Sequence, residues 1–476
     1  MGGDSFARYL FEAVYVLTWL LIPHILWRKK NPVSALAWIW AILLFPILGA
    51  VFYLGLGTNR VHRKYLRRKA KARVAGERPV GDENGTGGAP SIGGAAQRRL
   101  RMLEAMTGKK TTHGNGVRLL TDPAAFYASL LRDIETAREH VHLEFYIWND
   151  DATGRDFLDA LIRAAKRGIE VRLLVDEIGS IEVKTSFFKP LVHEGGKFSW
   201  FLSLHFLRNR FFINLRNHRK LAVIDGRTGY VGGTNIGDEY LGRNPRYGEW
   251  RDTHFRVEGP CVPQLQEVFA DDWYFATDEK LLKPAYYPEP SASGSQTIQV
   301  IADGPDNELD PLHMTCLDLI AQAEGRVWIE TPYFIPYPDL IAHLQMAALK
   351  GIDVRLILSG TLDHAYLLNI SCSYYEDLLK NGVRIFEYQK GILHSKLMVV
   401  DGTWSFAGSA NMDIRSFRLN FELNLAIHDA GLARQIEEQM EADLLYAREI
   451  RLKEFEARPW IRRAKESVLR LLAPAV

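Results

Sequence analysis

The sequence predicts an α/β protein of two lobes related by an internal repeat, preceded by an apolar helical hairpin in the membrane. Three observations predict it. The near-copies GIEVRLLV and GIDVRLIL, beginning at Gly168 and Gly351, each lie upstream of one His-x-Lys-x4-Asp unit. The units themselves, His218-Lys220-Asp225 and His394-Lys396-Asp401, match in spacing and in the Gly-x-x-Asn that ends at Asn235 and Asn411. Finally, Val33 to Leu56 is 24 residues long and carries no charge.

At 476 residues the chain can support two or three separate cores. A hydrophobic content of 47% and a charged content of 24% describe an ordinary globular protein, and a net charge of +2 argues against a polyanion binder as a whole. The three cysteines, Cys261, Cys316 and Cys372, lie far apart without Cys-x-x-Cys spacing, which predicts buried thiols rather than a disulfide or a zinc site.

Taken in order, Leu10 to Trp27 is apolar but carries Glu12 and His24, so it is expected to span or to lie in the membrane as a re-entrant or surface helix. Val33 to Leu56 is long enough to cross a hydrocarbon core of about 30 Å. Arg28, Lys29 and Lys30 separate the two segments, and the larger basic run from Arg60 to Arg73 follows the second. That cluster predicts a cell-membrane protein, multi-pass, with everything after it on the cytoplasmic side and with anionic headgroups as partners. Gly76 to Gln97 is rich in Gly, Pro and small residues and reads as a flexible linker.

Beyond the linker the repeat sets the elements. Val141 to Ile147 has a strand pattern, Asp156 to Arg167 a helical one, and Val171 to Val175 a second strand pattern. Val327 to Ile335, Leu340 to Lys350 and Val354 to Leu358 repeat that order before the second motif. The Pro/Ser/Gly-rich stretch Pro284 to Gln296 is the expected joint. The organisation is therefore membrane segments over residues 1–57, a basic juxtamembrane stretch and linker over 58–97, a first lobe over 98–290 and a second over 291–476. The second lobe ends in a tail where Trp460, Ile461, Ala464, Val468, Leu471 and Leu472 can form one helical face and basic residues much of another. That face is expected either to pack on the second lobe or to touch the membrane surface.

The chemistry rests on the stretch Ile392 to Glu422. In an extended chain His394 and Lys396 share a face, and the tight turn at Asp401-Gly402 brings Gly408, Ser409 and Asn411 back alongside. Each histidine is paired with a lysine, and a protonated lysine is no ligand, so the pattern argues against a metal. Two imidazoles and two ammonium groups suit an anionic ester: the lysines offset phosphate charge, one imidazole attacks phosphorus and the other protonates the departing alkoxide. Duplication follows if each lobe supplies half a site.

The candidate catalytic set is His218, Lys220, Asp225, His394, Lys396 and Asp401, supported by Asn235, Asp252, Ser409, Asn411 and Glu422. Glu422 and Asp252, each one strand beyond its motif, are the candidates to hold an imidazole by its second nitrogen. Alternation turns Asp225 and Asp401 away from the His and Lys, so these two are expected to hold the turns or the lobe interface. His142, His254 and His343 fall in predicted structural elements and take no role. The basic and aromatic mixture from His205 to Lys220 suits either stacked bases or a headgroup site; beside a membrane anchor the headgroup is the better fit, and nucleic acid is not expected as a partner.

These residues resemble the phospholipase D superfamily, whose signature is the duplicated H-x-K-x4-D followed by G-x-x-N. Within it the chain is similar to the bacterial cardiolipin synthases, through NPVSALAWIW, HLEFYIWNDD, NHRKLAVIDG, VGGTNIGDEY, EWRDTH, TPYFIP, HSKLMVVDG and FAGSANMDIRSFRLNFE. The resemblance implies two phospholipase D-like lobes, and transfer of phosphatidyl from one phosphatidylglycerol to another through a phosphohistidine, giving cardiolipin and glycerol. It also implies no cofactor or required metal, with His218 as nucleophile and His394 as acid and base. One position departs from the pattern: Gly233 stands where the second copy has Ser409. A phosphodiesterase of the same superfamily using water or another alcohol is the alternative, and a non-enzymatic binding protein is disfavoured by two intact motifs. The sequence carries no signal for oligomeric state.

Overall fold

A computed structural model describes residues 18–29, 32–57, 93–202, 215–245, 247–307, 309–362 and 365–473. The basic run from Arg60 to Arg73, residues 10–17, most of the linker and residues 203–214 of the basic and aromatic stretch lie outside the described residues. The chain divides into two compact units, one formed by residues 1–67 with 203–215 and the other by the remainder.

In the larger unit the repeat becomes two half-sheets joined edge to edge. From the joint outward, the first runs Thr112–Leu120, His254–Glu258, Thr228–Gly232, Leu221–Ile224, His140–Phe145, Glu170–Asp176 and Lys197–Phe201. The second runs Gln296–Asp303, Asn420–His428, Trp404–Gly408, Leu397–Val400, Arg326–Thr331, Asp353–Ser359, Arg384–Tyr388 and then Ala447–Ile450. In each half the inner pairings are antiparallel, and the strands flanking the repeated βαβ units are parallel. The joint is the antiparallel pairing of Thr112–Leu120 with Gln296–Asp303, through Thr112↔Ile298 and Asn115↔Gln296, before the former strand shifts onto His254–Glu258 from Gly116.

Local chemistry explains the elements. Asp151 caps the helix Ala152–Lys166 by accepting from Gly154 N, so that helix starts four residues earlier than its apolar pattern predicts. Asp122 and Asp429 cap Pro123–Thr136 and Ala430–Leu444 in the same way. Each half-sheet buries its own apolar face. Leu143, Phe157, Leu161 and Leu173 are among the core of the first, and Ile329, Leu344, Leu356 and Met398 among that of the second. Leu100 and Leu103 of the helix Gly94–Thr107 belong to the second core, so the chain leaving the linker packs first on the lobe formed last. All three cysteines are free and buried.

The smaller unit corrects one expectation. Val33 to Leu56 does not form one membrane-crossing helix. It breaks at Phe45 (φ −135°, ψ 73°) into Pro32–Leu44 and Pro46–Phe52, followed by a π-helical turn at Tyr53–Gly57. Pro46 has no amide hydrogen to continue the first helix. The second helix turns back on the first, because a Cβ on Gly49 would lie 2.4 Å from the carbonyl oxygen of Ala41. Eight residues of straight helix would separate those positions by about 12 Å. Among the described residues no helix is long and apolar enough to cross a membrane. Ile25, Ala35, Ile42 and Tyr53 form a small core, and His24 Nδ1 lies 2.9 Å from the Tyr53 hydroxyl.

Candidate active site

Two short parallel pairings set the site. Gly391–Leu393 runs beside Glu249–Arg251, with Leu393 opposite Arg251, and Arg216–Asn217 runs beside the start of Asn420–His428, with Asn217 opposite Phe421. In each pair the next residue on one chain is the motif histidine, and the next on the other is a carboxylate. The backbone fixes this register: His394 N donates to Arg251 O at 2.7 Å and His218 N to Phe421 O at 2.9 Å.

The side chains follow. His394 Nδ1 lies 2.7 Å from Asp252 Oδ2, and His218 Nδ1 lies 2.9 and 3.0 Å from the two oxygens of Glu422. Each carboxylate therefore serves the histidine of the opposite lobe. With Nδ1 committed, Nε2 is the nitrogen left for chemistry in both rings. Lys220 Nζ donates to His218 O at 2.7 Å, and Lys396 Nζ lies 3.0 Å from His394 Nδ1. Ser409 Oγ donates to Glu422 Oε2 at 2.5 Å, and the Asn420 amide to Glu422 Oε1 at 3.1 Å.

The electrostatics are those of a buried, shared site. Burial pushes His218 down to about 4, against the pull of Glu422 and with help from Lys220 and Lys396. His394 is lowered by burial and by Lys396, with Lys220 of the other lobe adding to it. Burial also takes Lys220 down to about 7, with Glu422 opposing and Lys396 reinforcing. Burial alone would raise Asp252 and Glu422, but the neighbouring histidines and lysines outweigh it, and both carboxyls sit below their usual range. In the resting site His218 is a neutral imidazole donating Nδ1–H to the anionic Glu422, and His394 donates Nδ1–H to the anionic Asp252.

Not every motif residue reaches this space. Asp225 and Asp401, placed in the catalytic set by the motif, lie beyond the strands Leu221–Ile224 and Leu397–Val400, roughly 16 Å of extended chain from the lysines. Both adopt positive φ, 54° and 52°, in the turns. Asp225 accepts from the amides of Arg138, Glu139 and His140, and Asp401 from those of Glu324, Gly325 and Arg326. They tie each motif turn to the start of the neighbouring strand and take no part at the imidazoles. Asn235 is likewise a brace, accepting from Ile147 N and donating to the Tyr240 hydroxyl. Asn411 N donates to Ser416 Oγ. At Gly233 an added Cβ would lie 2.3 Å from Asp252 Oδ1, so the serine of the second copy has no room here.

Sequence reasoning missed a layer of buried charge behind the site. Arg219 pairs with Asp272 and donates to the carbonyls of Glu422 and Asp303 at 3.1 Å each. Arg251 pairs with Asp443 at 2.9 Å and donates to Asp252 O at 2.6 Å and Thr253 Oγ1 at 2.8 Å. Beside each pair sits a buried glutamate: Glu144, which accepts from Asn217, and Glu330, whose Oε2 is 3.9 Å from Arg251. Burial, reinforced by Asp272 and Asp443 respectively, raises both, Glu330 to about 8. Both arginines come from the first lobe: Arg219 follows the histidine of one His–carboxylate pair, and Arg251 precedes the carboxylate of the other. Phe421 and Ser395 occupy the complementary places. Because the two strands of each pair are neighbours, either can deliver a guanidinium to the layer; the signal, an arginine beside one residue of each His–carboxylate pair, is readable only once that pairing is known.

The family model described as "Cardiolipin synthase, PLD-like domain" matches residues 130–273 and 316–444, and "Phospholipase_D-nuclease N-terminal" matches residues 16–57. The major cardiolipin synthase of Bacillus subtilis (strain 168) is 37% identical over 497 residues, covering 99% of this chain and 99% of its own. The cardiolipin synthase of Halalkalibacterium halodurans is 35% identical, covering 98% of this chain and 93% of its own. Among solved structures, the phosphatidylserine synthase of Haemophilus influenzae Rd KW20 superposes with a TM-score of 0.58 at 16% identity, over 80% of this chain and 100% of that one, which is a likeness of fold. The chain belongs to the bacterial cardiolipin synthases of the phospholipase D superfamily and is a phosphatidyltransferase.

Proposed function

We propose that the enzyme moves a phosphatidyl group from one phosphatidylglycerol to a second, in two displacements at one phosphorus. His218 Nε2 attacks the phosphorus of the first lipid. The bond to the glycerol headgroup breaks, and the leaving alkoxide takes the Nε2 proton of His394, which enters the step as the imidazolium held by Asp252. His394, now neutral, accepts the proton of a hydroxyl on the second phosphatidylglycerol; that oxygen attacks phosphorus, the P–N bond breaks, and cardiolipin leaves. Lys220 and Lys396 offset the charge on the phosphoryl oxygens throughout.

The observation that carries this reading is that both imidazoles are tied through Nδ1 to carboxylates from the opposite lobe. The neighbours that differ between the two rings support His218 as nucleophile. Glu422, itself held by Ser409 and Asn420, stabilises the positive phospho-imidazole. Lys396, 3.0 Å from the Nδ1 of His394, makes that ring the readier proton donor.

Attachment to the cell membrane is part of the proposal. Trp19, Leu20, Trp27, Leu36, Trp40 and Phe45 are among the large apolar side chains that the small unit leaves exposed. Its helices of 13 and 7 residues reach about 20 and 10 Å, which suits a hairpin entering one leaflet. The basic run that follows supports a cytoplasmic position for the catalytic unit.

Incubation of the purified protein with phosphatidylglycerol, following lipid products and free glycerol, tests the reaction. Equal amounts of cardiolipin and glycerol are expected, undiminished by chelator. Phosphatidic acid as sole product would replace the reading with a hydrolase, and cleaved DNA beside untouched lipid with a nuclease.

A further inference from the structure

The C-terminal helix Trp460–Arg470 is docked with its polar side inward. Glu466 is 2% exposed and held by Arg458 at 2.7 Å and Arg462 at 3.2 Å. Leu469 and Ala473 lie on the same side and pack with Ile335 and Ile370 against the helix Ala365–Lys380, and Arg463 reaches Glu376 of that helix at 3.3 Å. Successive residues advance about 100° around a helix, so this inner face leaves Trp460, Ile461, Ala464, Val468 and Leu471 on the opposite side. They are exposed: Trp460 by 76%, Ile461 and Val468 by 64% each, and Leu471 by 79%.

Water gives no reason for this orientation. A helix free to choose would bury the tryptophan and leave the glutamate outside. The outward stripe is one helix wide, has a tryptophan at its end and is bordered by Lys465, with Arg463 and Arg470 exposed nearer the docked side, while the helix's only acid is turned inward and neutralised. An apolar face with cations at its border and behind it is what the headgroup boundary of an anionic leaflet accepts.

We propose that this face is a membrane-docking surface, whose occupant is an anionic lipid leaflet into which Trp460, Ile461, Val468 and Leu471 insert. It is a lipid contact of the catalytic unit itself, separate from the apolar N-terminal unit, and it stands whatever the reaction proves to be.

The test uses the full chain and reads depth rather than turnover. Since Cys261, Cys316 and Cys372 are buried, Ala464→Cys can be labelled selectively with bimane, and Val468→Cys provides a second position. In vesicles containing phosphatidylglycerol the emission is expected to shift to the blue and to be quenched several-fold by lipids brominated along their chains. In zwitterionic vesicles, or with Lys465→Gln, quenching is expected to weaken several-fold. An unshifted label at both positions would overturn the proposal, as would a shift that brominated lipid does not quench, which would mean that the N-terminal unit or a second copy covers the face. Equal quenching in zwitterionic vesicles would overturn the requirement for anionic lipid.

Discussion

His394 Nδ1 lies 2.7 Å from Asp252 Oδ2, and the two residues belong to different lobes. The reciprocal contact of His218 with Glu422 makes the exchange complete. Neither lobe holds a finished half-site, so the internal repeat is a mutual requirement: each lobe positions and polarises the other's imidazole.

Replacing the carboxylates tests this directly. Glu422→Gln and Asp252→Asn keep a hydrogen-bond partner for Nδ1 but remove the charge that stabilises a positive ring. Each is expected to lower kcat by roughly 10²- to 10⁴-fold with little change in KM and an unchanged circular dichroism spectrum. A loss confined to KM would assign these residues to lipid binding.

The pH profile has a predictable sign. His218, with its pKa near 4 in the folded protein, stays neutral and nucleophilic across the neutral range, so the acid side of kcat/KM should hold until the pH approaches that value. Lys220, brought down to about 7, loses its charge as the pH rises through that value in the free enzyme. Its attraction for the lipid phosphate goes with it, and kcat/KM should fall on the alkaline side. A flat profile from pH 7 to 9 would remove Lys220 from phosphate recognition.

Arg251 crosses from one lobe into the charge layer of the other. Arg251→Ala leaves Asp443 buried without its ion-pair partner, and a loss of about 3–5 kcal/mol in unfolding free energy is expected by denaturant titration. Adding Asp443→Asn should recover part of it. Full stability of the single variant would show that the layer is not held by this pair.

The Gly233 departure has a steric reason that can be tested. Gly233→Ser places Cβ against the Asp252 carboxylate, which is fixed by His394 and by Thr253 N at 2.7 Å. Activity should fall at least tenfold, while Ser409→Gly, which removes a hydrogen bond without adding bulk, should cost less. The reverse order would mean that a hydroxyl is required on both carboxylates.

Much of this was legible in the chain. Motif spacing located both His–Lys pairs, alternation kept Asp225 and Asp401 away from the imidazoles, and the near-copies GIEVRLLV and GIDVRLIL marked the repeated units. The exchange of carboxylates was not legible, because spacing along the chain carries no information about which lobe a strand edge meets. Pro46 was visible in the apolar segment, but its effect was not: a proline can kink a continuing helix or end it, and the close approach of Gly49 to Ala41 decides the matter here. The tail's apolar stripe was readable from its period, whereas its outward direction depends on Glu466, which finds Arg458 only in the folded chain.

The central claim is that one of two similar imidazoles becomes covalently attached to phosphorus. Rapid mixing with phosphatidylglycerol, a quench in alkali where phosphohistidine survives, and peptide mapping by mass spectrometry measure it. The account predicts a glycerophosphoryl remnant on Nε2 of His218, absent from His218→Ala. The same adduct on His394, or burst turnover with no adduct on either ring, would contradict it.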